Sequence, residues 1–397
     1  GLLDKFGAEL PLKLEGEEGP ASFDKVLTLS QEVQYFYFLD VPEPPVPSLL
    51  RSFSAPVRLN FDYSREDLHF LMIHDTDGFN RWNASQLLAS DIIDELQKCA
   101  VDDLTLALPQ ILIDAYSGVL NSALESKILD KAMIAQVLTL PAEGLLIDQA
   151  EIADIDSIHS VREFTANMLA NNLEGSFEEV FKANSSNKAF KVDAESIAQR
   201  ALKNLALAYL VRTDKDNWIK DCYRQFEDAT NMTDQLAALR CLVSSGSELG
   251  VDIATSALQA FYEKWKHEPL VVDQWFIVQA SCQRKGSISK VKHLLEHEAF
   301  QLRNPNKVRS LIGAFCGQNH TGFHDRSGEG YEFLADRVLE IDQFNPQIGA
   351  RLLTPLTRWK KFDKKRQALM QAQLLRIKAE SNISKDVFEV VNKSTAS

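Results

Sequence analysis

Five cysteines in 397 residues, none in a Cys-x-x-Cys pair, leave no disulfide framework and no zinc-ribbon spacing to read. Their odd number and the scatter of Cys99, Cys222, Cys241, Cys282 and Cys316 suit a reducing, cytoplasmic-type environment. Long apolar runs are missing as well. The longest, around residues 205–211, is flanked by Lys203, Asn204 and Arg212, and a membrane helix needs roughly 18 to 20 apolar residues. No membrane partner is expected. Positive charge is short: 43 Lys and Arg against 56 Asp and Glu leave a formal net charge of −13. That argues against nonspecific nucleic-acid binding, which depends on clustered Lys and Arg. The chain opens on Gly1-Leu2-Leu3-Asp4 without Met, basic leader or apolar targeting stretch, and is expected to start inside a larger protein. Catalytic signatures are also wanting. No Gly-x-Ser-x-Gly elbow and no cysteine nucleophile signature occur, and His267-Glu268 and His297-Glu298 are followed by Val271 and Gln301 where His-Glu-x-x-His needs its second histidine.

What remains is ordinary globular composition, 45% hydrophobic and 25% charged, in a chain long enough for two domains. Two periodicities divide it. Up to about residue 70, segments 26–30, 32–41 and 56–63 are rich in β-branched and aromatic residues and predict strands. Pro42, Pro44, Pro45 and Pro47 predict a stiff connection between the last two. About four short strands make a sheet too small to stand uncovered. From Asn83 onward the period is helical. Candidate helices, from 84–97 to 385–392 and including 127–138, 305–317 and 346–357, are joined by short loops and outnumber any single bundle. The expected fold is mainly α: an irregular HEAT- or armadillo-like α-solenoid preceded by a small, incomplete β-sandwich, with domains at 1–72 and 73–397.

Three strings invite chemistry. His293-Leu294-Leu295-Glu296-His297 has inverted-zincin spacing, which on a helix would align two imidazoles. A solvent-facing His, Glu and His beside two leucines accounts for it equally, and it is not taken as a metal site. The run from Arg358 to Arg366 holds six basic residues and two aromatics, as a nucleic-acid patch would. It also fits cations at a helix C-terminus followed by Asp363 as the next N-cap, the preferred assignment. Ser327-Gly328-Glu329-Gly330 lacks the lysine and the preceding strand of a phosphate loop and is read as a turn.

The sharpest features are two Asn-Pro pairs, Asn304-Pro305 and Asn345-Pro346. Asn caps a helix and Pro suits its first position, so each pair fixes a helix start and the direction of an arginine in the second turn, Arg309 or Arg351. Val308, Leu311, Ile312 and Phe315 form a core stripe, from which Arg309 stands off by about 100° at 3.6 residues per turn. Gln347 and Arg351 lie one turn apart on one face. Pro355 cannot donate to the Arg351 carbonyl, so a kink and a spare acceptor are expected there. A structural tie to a loop carbonyl or an acidic neighbour would also explain each arginine.

Taken together, Asp67-Leu68-His69-Phe70-Leu71-Met72, Phe79-Asn80-Arg81-Trp82-Asn83-Ala84-Ser85-Gln86, Arg200-Ala201-Leu202-Lys203-Asn204, Asp273-Gln274-Trp275-Phe276, the segment from Asn304 to Phe315 and Asn345-Pro346-Gln347 resemble the C-terminal portion of the bacterial aminopeptidase N family, zinc metallo-aminopeptidases of the gluzincin type. They are spread in order over nearly the whole chain. The resemblance implies a four-domain parent enzyme with one Zn²⁺, to which this chain supplies the end of a β-sandwich and the helical C-terminal domain. It further implies no cofactor in this chain, and no activity when it is isolated, since His-Glu-x-x-His and Gly-Ala-Met-Glu-Asn are both missing from it. The implied partners are peptide substrates and the catalytic domain of the same polypeptide. By motif position, Gln347 resembles the family's glutamine lining the pocket for the substrate's N-terminal side chain, and Arg309 and Arg351 resemble its arginines along the access cavity. Composition and periodicity alone also allow a freestanding α-solenoid interaction scaffold.

Overall fold

Helical structure begins earlier than the periodicity places it. Ser64 Oγ accepts from the Asp67 amide at 3.0 Å while the Asp67 carboxylate accepts from the Ser64 amide at 3.1 Å. This reciprocal capping box starts the helix Arg65–His74. The computed structural model describes residues 1–57, 59–102, 104–125, 130–186 and 189–396. Among these, the strands expected at 26–30, 32–41 and 56–63 do not form, and residue 58 lies outside the described residues. Among the described residues the sheet is a single antiparallel pair, Leu2–Leu3 with Val46–Pro47, supplemented by isolated bridges such as Leu12 to Ser22 and Leu14 to Phe38. Strand propensity expresses itself only against a neighbour and a covered face. Val26, Leu29 and Tyr35 instead stand 86%, 73% and 76% exposed. Pro47, expected in a mere connection, pairs at the rim of this sheet, where a missing N–H is tolerated.

Beyond this region the chain is mainly α, an irregular α-solenoid, and the whole chain divides into two compact units: residues 1–141 with 168–209, and residues 142–167 with 210–397. In the first unit, helices Arg65–His74, Gly78–Val101 and Gln110–Glu125 enclose Leu88, Ile92, Tyr116 and Val119. Tyr209 stacks on Phe177 with centroids 4.4 Å apart and donates its hydroxyl to the Leu138 carbonyl at 2.9 Å, so its burial leaves no unsatisfied polar atom. Lys131–Val137 starts at an Asp130 cap. Residues 127–129 of the helix expected at 127–138 lie outside the described residues. Helices Glu143–Gln149 and Glu174–Asn184 were not legible in the periodicity.

The second unit runs through successive helices from Asp216–Asp228 to Lys385–Ala396 around Phe261, Phe276, Phe315, Phe323 and Tyr331, all fully buried. Two glycines matter to its path. Gly328 takes φ +80° to open helix Glu329–Asp342, and a Cβ on Gly330 would lie 2.2 Å from the Phe323 carbonyl oxygen, so the Ser327 to Gly330 string is a tight turn. Among the described residues no helix is long and apolar enough to cross a membrane.

Candidate functional site

Both Asn-Pro pairs start helices as expected. Asn304 Oδ1 accepts from the Asn306 amide at 2.9 Å, with Pro305 in the first turn of Pro305–Val308. Two residues on, the Lys307 ammonium turns inward. It donates to Asp273 Oδ1 at 2.7 Å and to the Pro269 carbonyl at 3.0 Å, and lies 5.7 Å from the Phe276 ring centroid. With the lysine and the aspartate side chains only 8% and 11% exposed, this buried pair clamps the start of the helix to Pro269–Ala280. Arg309 faces the other way, exposed, its Nη2 steadied by Asn306 Oδ1 at 3.1 Å. That partner lies in the arginine's own helical turn and is neutral, so it orients the guanidinium without cancelling its charge.

The single α-helix expected over 305–317 is corrected by the structure. Pro305–Val308 passes into a π-helical turn, Arg309–Gly313, before α geometry resumes at Ala314–Gln318. The Ala314 amide reaches the Arg309 carbonyl, five residues back. The wider turn still buries Val308, Leu311, Ile312 and Phe315, which is why an apolar stripe cannot distinguish it from an α-helix. π-Turns inside helices concentrate at functional sites, and this one begins at Arg309.

In the second pair, Asn345 Oδ1 accepts from the Ile348 amide at 3.3 Å and Pro346 opens Pro346–Leu352. Ile348 is only half-buried and Leu352 buried, while Gln347 and Arg351 are both exposed. Pro355 acts as expected. The helix expected at 346–357 breaks at Leu353 into Pro346–Leu352 and Thr354–Thr357, and the Arg351 carbonyl takes a bond from Thr354 Oγ1 at 2.8 Å. Among the described residues the side chains of Gln347 and Arg351 make no hydrogen bond or ion pair.

One contact between the two starts was missed. Arg303 and Phe344, each immediately before an Asn-Pro pair, meet with the guanidinium carbon 4.7 Å from the ring centroid. This cation–π contact brings the residues leading into both helices side by side. The available signal was positional: each is the residue just outside an Asn cap.

The other strings resolve as structural. The helix Ser287–Leu295 ends before Glu296, so His293 and His297 share no helical face. His297 instead packs against Tyr262, Trp275 and Phe276. Among the described residues no group of three or more His, Cys, Asp or Glu is placed to hold a metal ion. In the basic run, Arg358 pairs with Asp148, Lys361 donates to the Asp148 carbonyl at 3.0 Å, and Asp363 caps the following helix. Arg366, 3% exposed, joins Asp363 at 2.8 Å, Asp156 at 3.0 Å and the His324 carbonyl at 2.7 Å.

His324 is itself buried, its Nδ1 2.9 Å from the Tyr331 hydroxyl and its ring 4.2 Å from that of Phe362. Burial, seconded by His320 and Arg366, pulls its pKa from 6.5 down to about 3, with Asp363 opposing. The unfolded chain therefore takes up a proton near pH 6.5 that the folded chain refuses. Stability is fully present above that pH and falls as pH drops towards 3, at up to about 1.4 kcal/mol per pH unit. Urea unfolding at pH 5 and pH 7.5 should show this loss on acidification, and His324→Gln should shrink it; an unchanged difference in the variant would contradict the assignment. His159 has the opposite sign. Its hydrogen bond from Nδ1 to the Glu143 carboxylate, 2.7 Å, raises its pKa, so its contribution is lost as pH rises through the raised value.

With this geometry in hand, the relatives are informative. Residues 65–396 match the family described as "Domain of unknown function (DUF3458_C) ARM repeats", and residues 1–62 match "Domain of unknown function (DUF3458) Ig-like fold". The chain is 36% identical to the aminopeptidase N of Escherichia coli K12, covering 100% of this chain and 44% of that protein. It is 34% identical to the aminopeptidase N of Haemophilus influenzae, over 99% of this chain and 44% of the relative. Among solved structures, Legionella pneumophila aminopeptidase A in complex with aspartic acid superposes with a TM-score of 0.85 at 33% identity, covering 100% of this chain and 45% of the other. The chain thus spans less than half the length of the relatives it matches.

Proposed function

We propose, from the premise that this chain belongs to the ARM-repeat family DUF3458_C and is a C-terminal portion of the aminopeptidase N kind, that it forms the substrate-facing wall of a zinc-dependent aminopeptidase. In this reading the exposed apolar residues of 1–62 meet the preceding part of an Ig-like sandwich in the parent. Zinc and the peptide-cleaving chemistry belong to a catalytic domain outside this chain, and the helical region caps it.

The observation carrying the proposal is the contrast among arginines. Arg212, Arg326, Arg358, Arg366 and Arg376 are committed to carboxylates, whereas Arg309 and Arg351 are exposed and held outward on helices with fixed starts, without an acidic partner among the described residues. Two such guanidiniums can offer paired donors to a peptide's C-terminal carboxylate. Gln347, a turn before Arg351, offers an amide for the N-terminal residue of the substrate. In the complete enzyme a tripeptide with a free C-terminus should have a KM at least several-fold below that of its C-terminal amide; equal values would sink the carboxylate role. Gln347→Ala should alter discrimination between N-terminal side chains and leave that acid-to-amide ratio unchanged.

A further inference from the structure

The sequence scatters its cysteines, yet the fold pairs two of them. Helices Asp216–Asp228 and Met232–Ser244 pack as a hairpin with Cys222 on one and Cys241 on the other. Cys222 is fully buried and donates its thiol to the Ala238 carbonyl at 3.4 Å, one turn before Cys241 on the facing helix. The two cysteines also lie close enough for each to influence the other's ionisation, and the guanidiniums of Arg212 and Arg240 act on Cys241. Arg212 is anchored by Glu163 at 2.8 Å and Arg240 by Gln274 at 3.3 Å, so both cations are held in place. Cys241 as a residue is half-buried.

We propose that Cys222 and Cys241 form a redox-convertible pair that a small peroxide closes to an intramolecular disulfide across this helix hairpin. The roles are set by environment. The neighbouring Cys222 thiol, with the two arginines, favours the thiolate at Cys241 despite its burial, whereas the neighbouring Cys241, desolvation and the Ala238 carbonyl that accepts its hydrogen bond keep Cys222 protonated.

The Cys241 thiolate attacks a peroxide oxygen. The O–O bond breaks, hydroxide leaves, and the Cys241 sulfur is oxidised to a sulfenic acid. Cys222 then loses its proton, its sulfur displaces the sulfenic oxygen, the S–O bond breaks and the S–S bond forms with loss of water. Two thiols and one peroxide give one disulfide and two waters. The other thiols lack this arrangement. Cys282 donates to the Val243 carbonyl at 3.4 Å, and Cys316 is buried, with burial pushing both thiols up.

The test is peroxide treatment of the purified chain, then alkylation, digestion and mass spectrometry. The expected result is a Cys222–Cys241 cross-link, about 2 Da lighter than the two free thiols and reversed by dithiothreitol, with Cys99, Cys282 and Cys316 still alkylated. Cys222→Ser should stop the reaction at a Cys241 sulfenic acid that dimedone traps. Full alkylation of Cys241 after peroxide, or its cross-linking to another cysteine, overturns the proposal. The wild-type measurement decides even where the serine variant fails to fold.

Discussion

Asp273→Ala should destabilise the second unit by about 3–5 kcal/mol, because it strands the Lys307 ammonium in the interior with only a carbonyl and a ring face for company. The pair's Coulomb attraction is not the source of the number. Two ions in low dielectric gain little over apolar residues of similar volume, so replacing both should cost far less than replacing one. Asp273→Leu combined with Lys307→Met should accordingly recover most of the loss. Urea unfolding followed by tryptophan fluorescence reads this, to which Trp275 contributes from a buried place two residues from Asp273, its indole donating to the Leu258 carbonyl at 2.9 Å. A single-variant loss below about 1 kcal/mol would mean that water or another group solvates Lys307. The consequence reaches function, because Lys307 fixes the helical turn from which Arg309 projects.

That clamp illustrates what the sequence conveyed and what it withheld. Local chemistry was legible. Asn304, Asn345 and Asp363 cap helices where a side-chain acceptor ahead of a helical pattern says they should, and Pro355 breaks its helix because the missing donor is a property of one residue. The strand expectations at 26–30, 32–41 and 56–63 failed because pairing is a property of two segments, and β-branched side chains do not announce whether a partner edge is present. Helix Arg65–His74 was hidden inside the strand-like region although Ser64 and Asp67 spelled its cap. Contacts distant in sequence had no one-dimensional signature: Lys307 with Asp273, Arg303 with Phe344, and Cys222 with Cys241 each became visible only in the fold. The π-turn at Arg309 was invisible for a different reason. Four apolar residues fit an α-stripe and a slightly wider one equally well.

The second large effect concerns the arginines themselves. A charge-assisted hydrogen bond to a carboxylate contributes about 1.5–3 kcal/mol where it replaces water, and two exposed guanidiniums sharing one carboxylate fall short of the full sum because solvent screens them. Arg309→Ala with Arg351→Ala should therefore raise KM for short peptides by roughly 10- to 100-fold. Neither residue belongs to the zinc chemistry proposed for the catalytic domain, so kcat should move little. Arg351→Lys keeps the charge but loses the planar fork, and should fall between wild type and the alanine variant.

The most direct measurement is therefore the KM of the complete enzyme for a tripeptide acid and for its C-terminal amide, in wild type and in the double alanine variant. The cavity-wall assignment predicts that the variant loses its preference for the acid and keeps its KM for the amide. An acid KM unchanged by removing both arginines would contradict it.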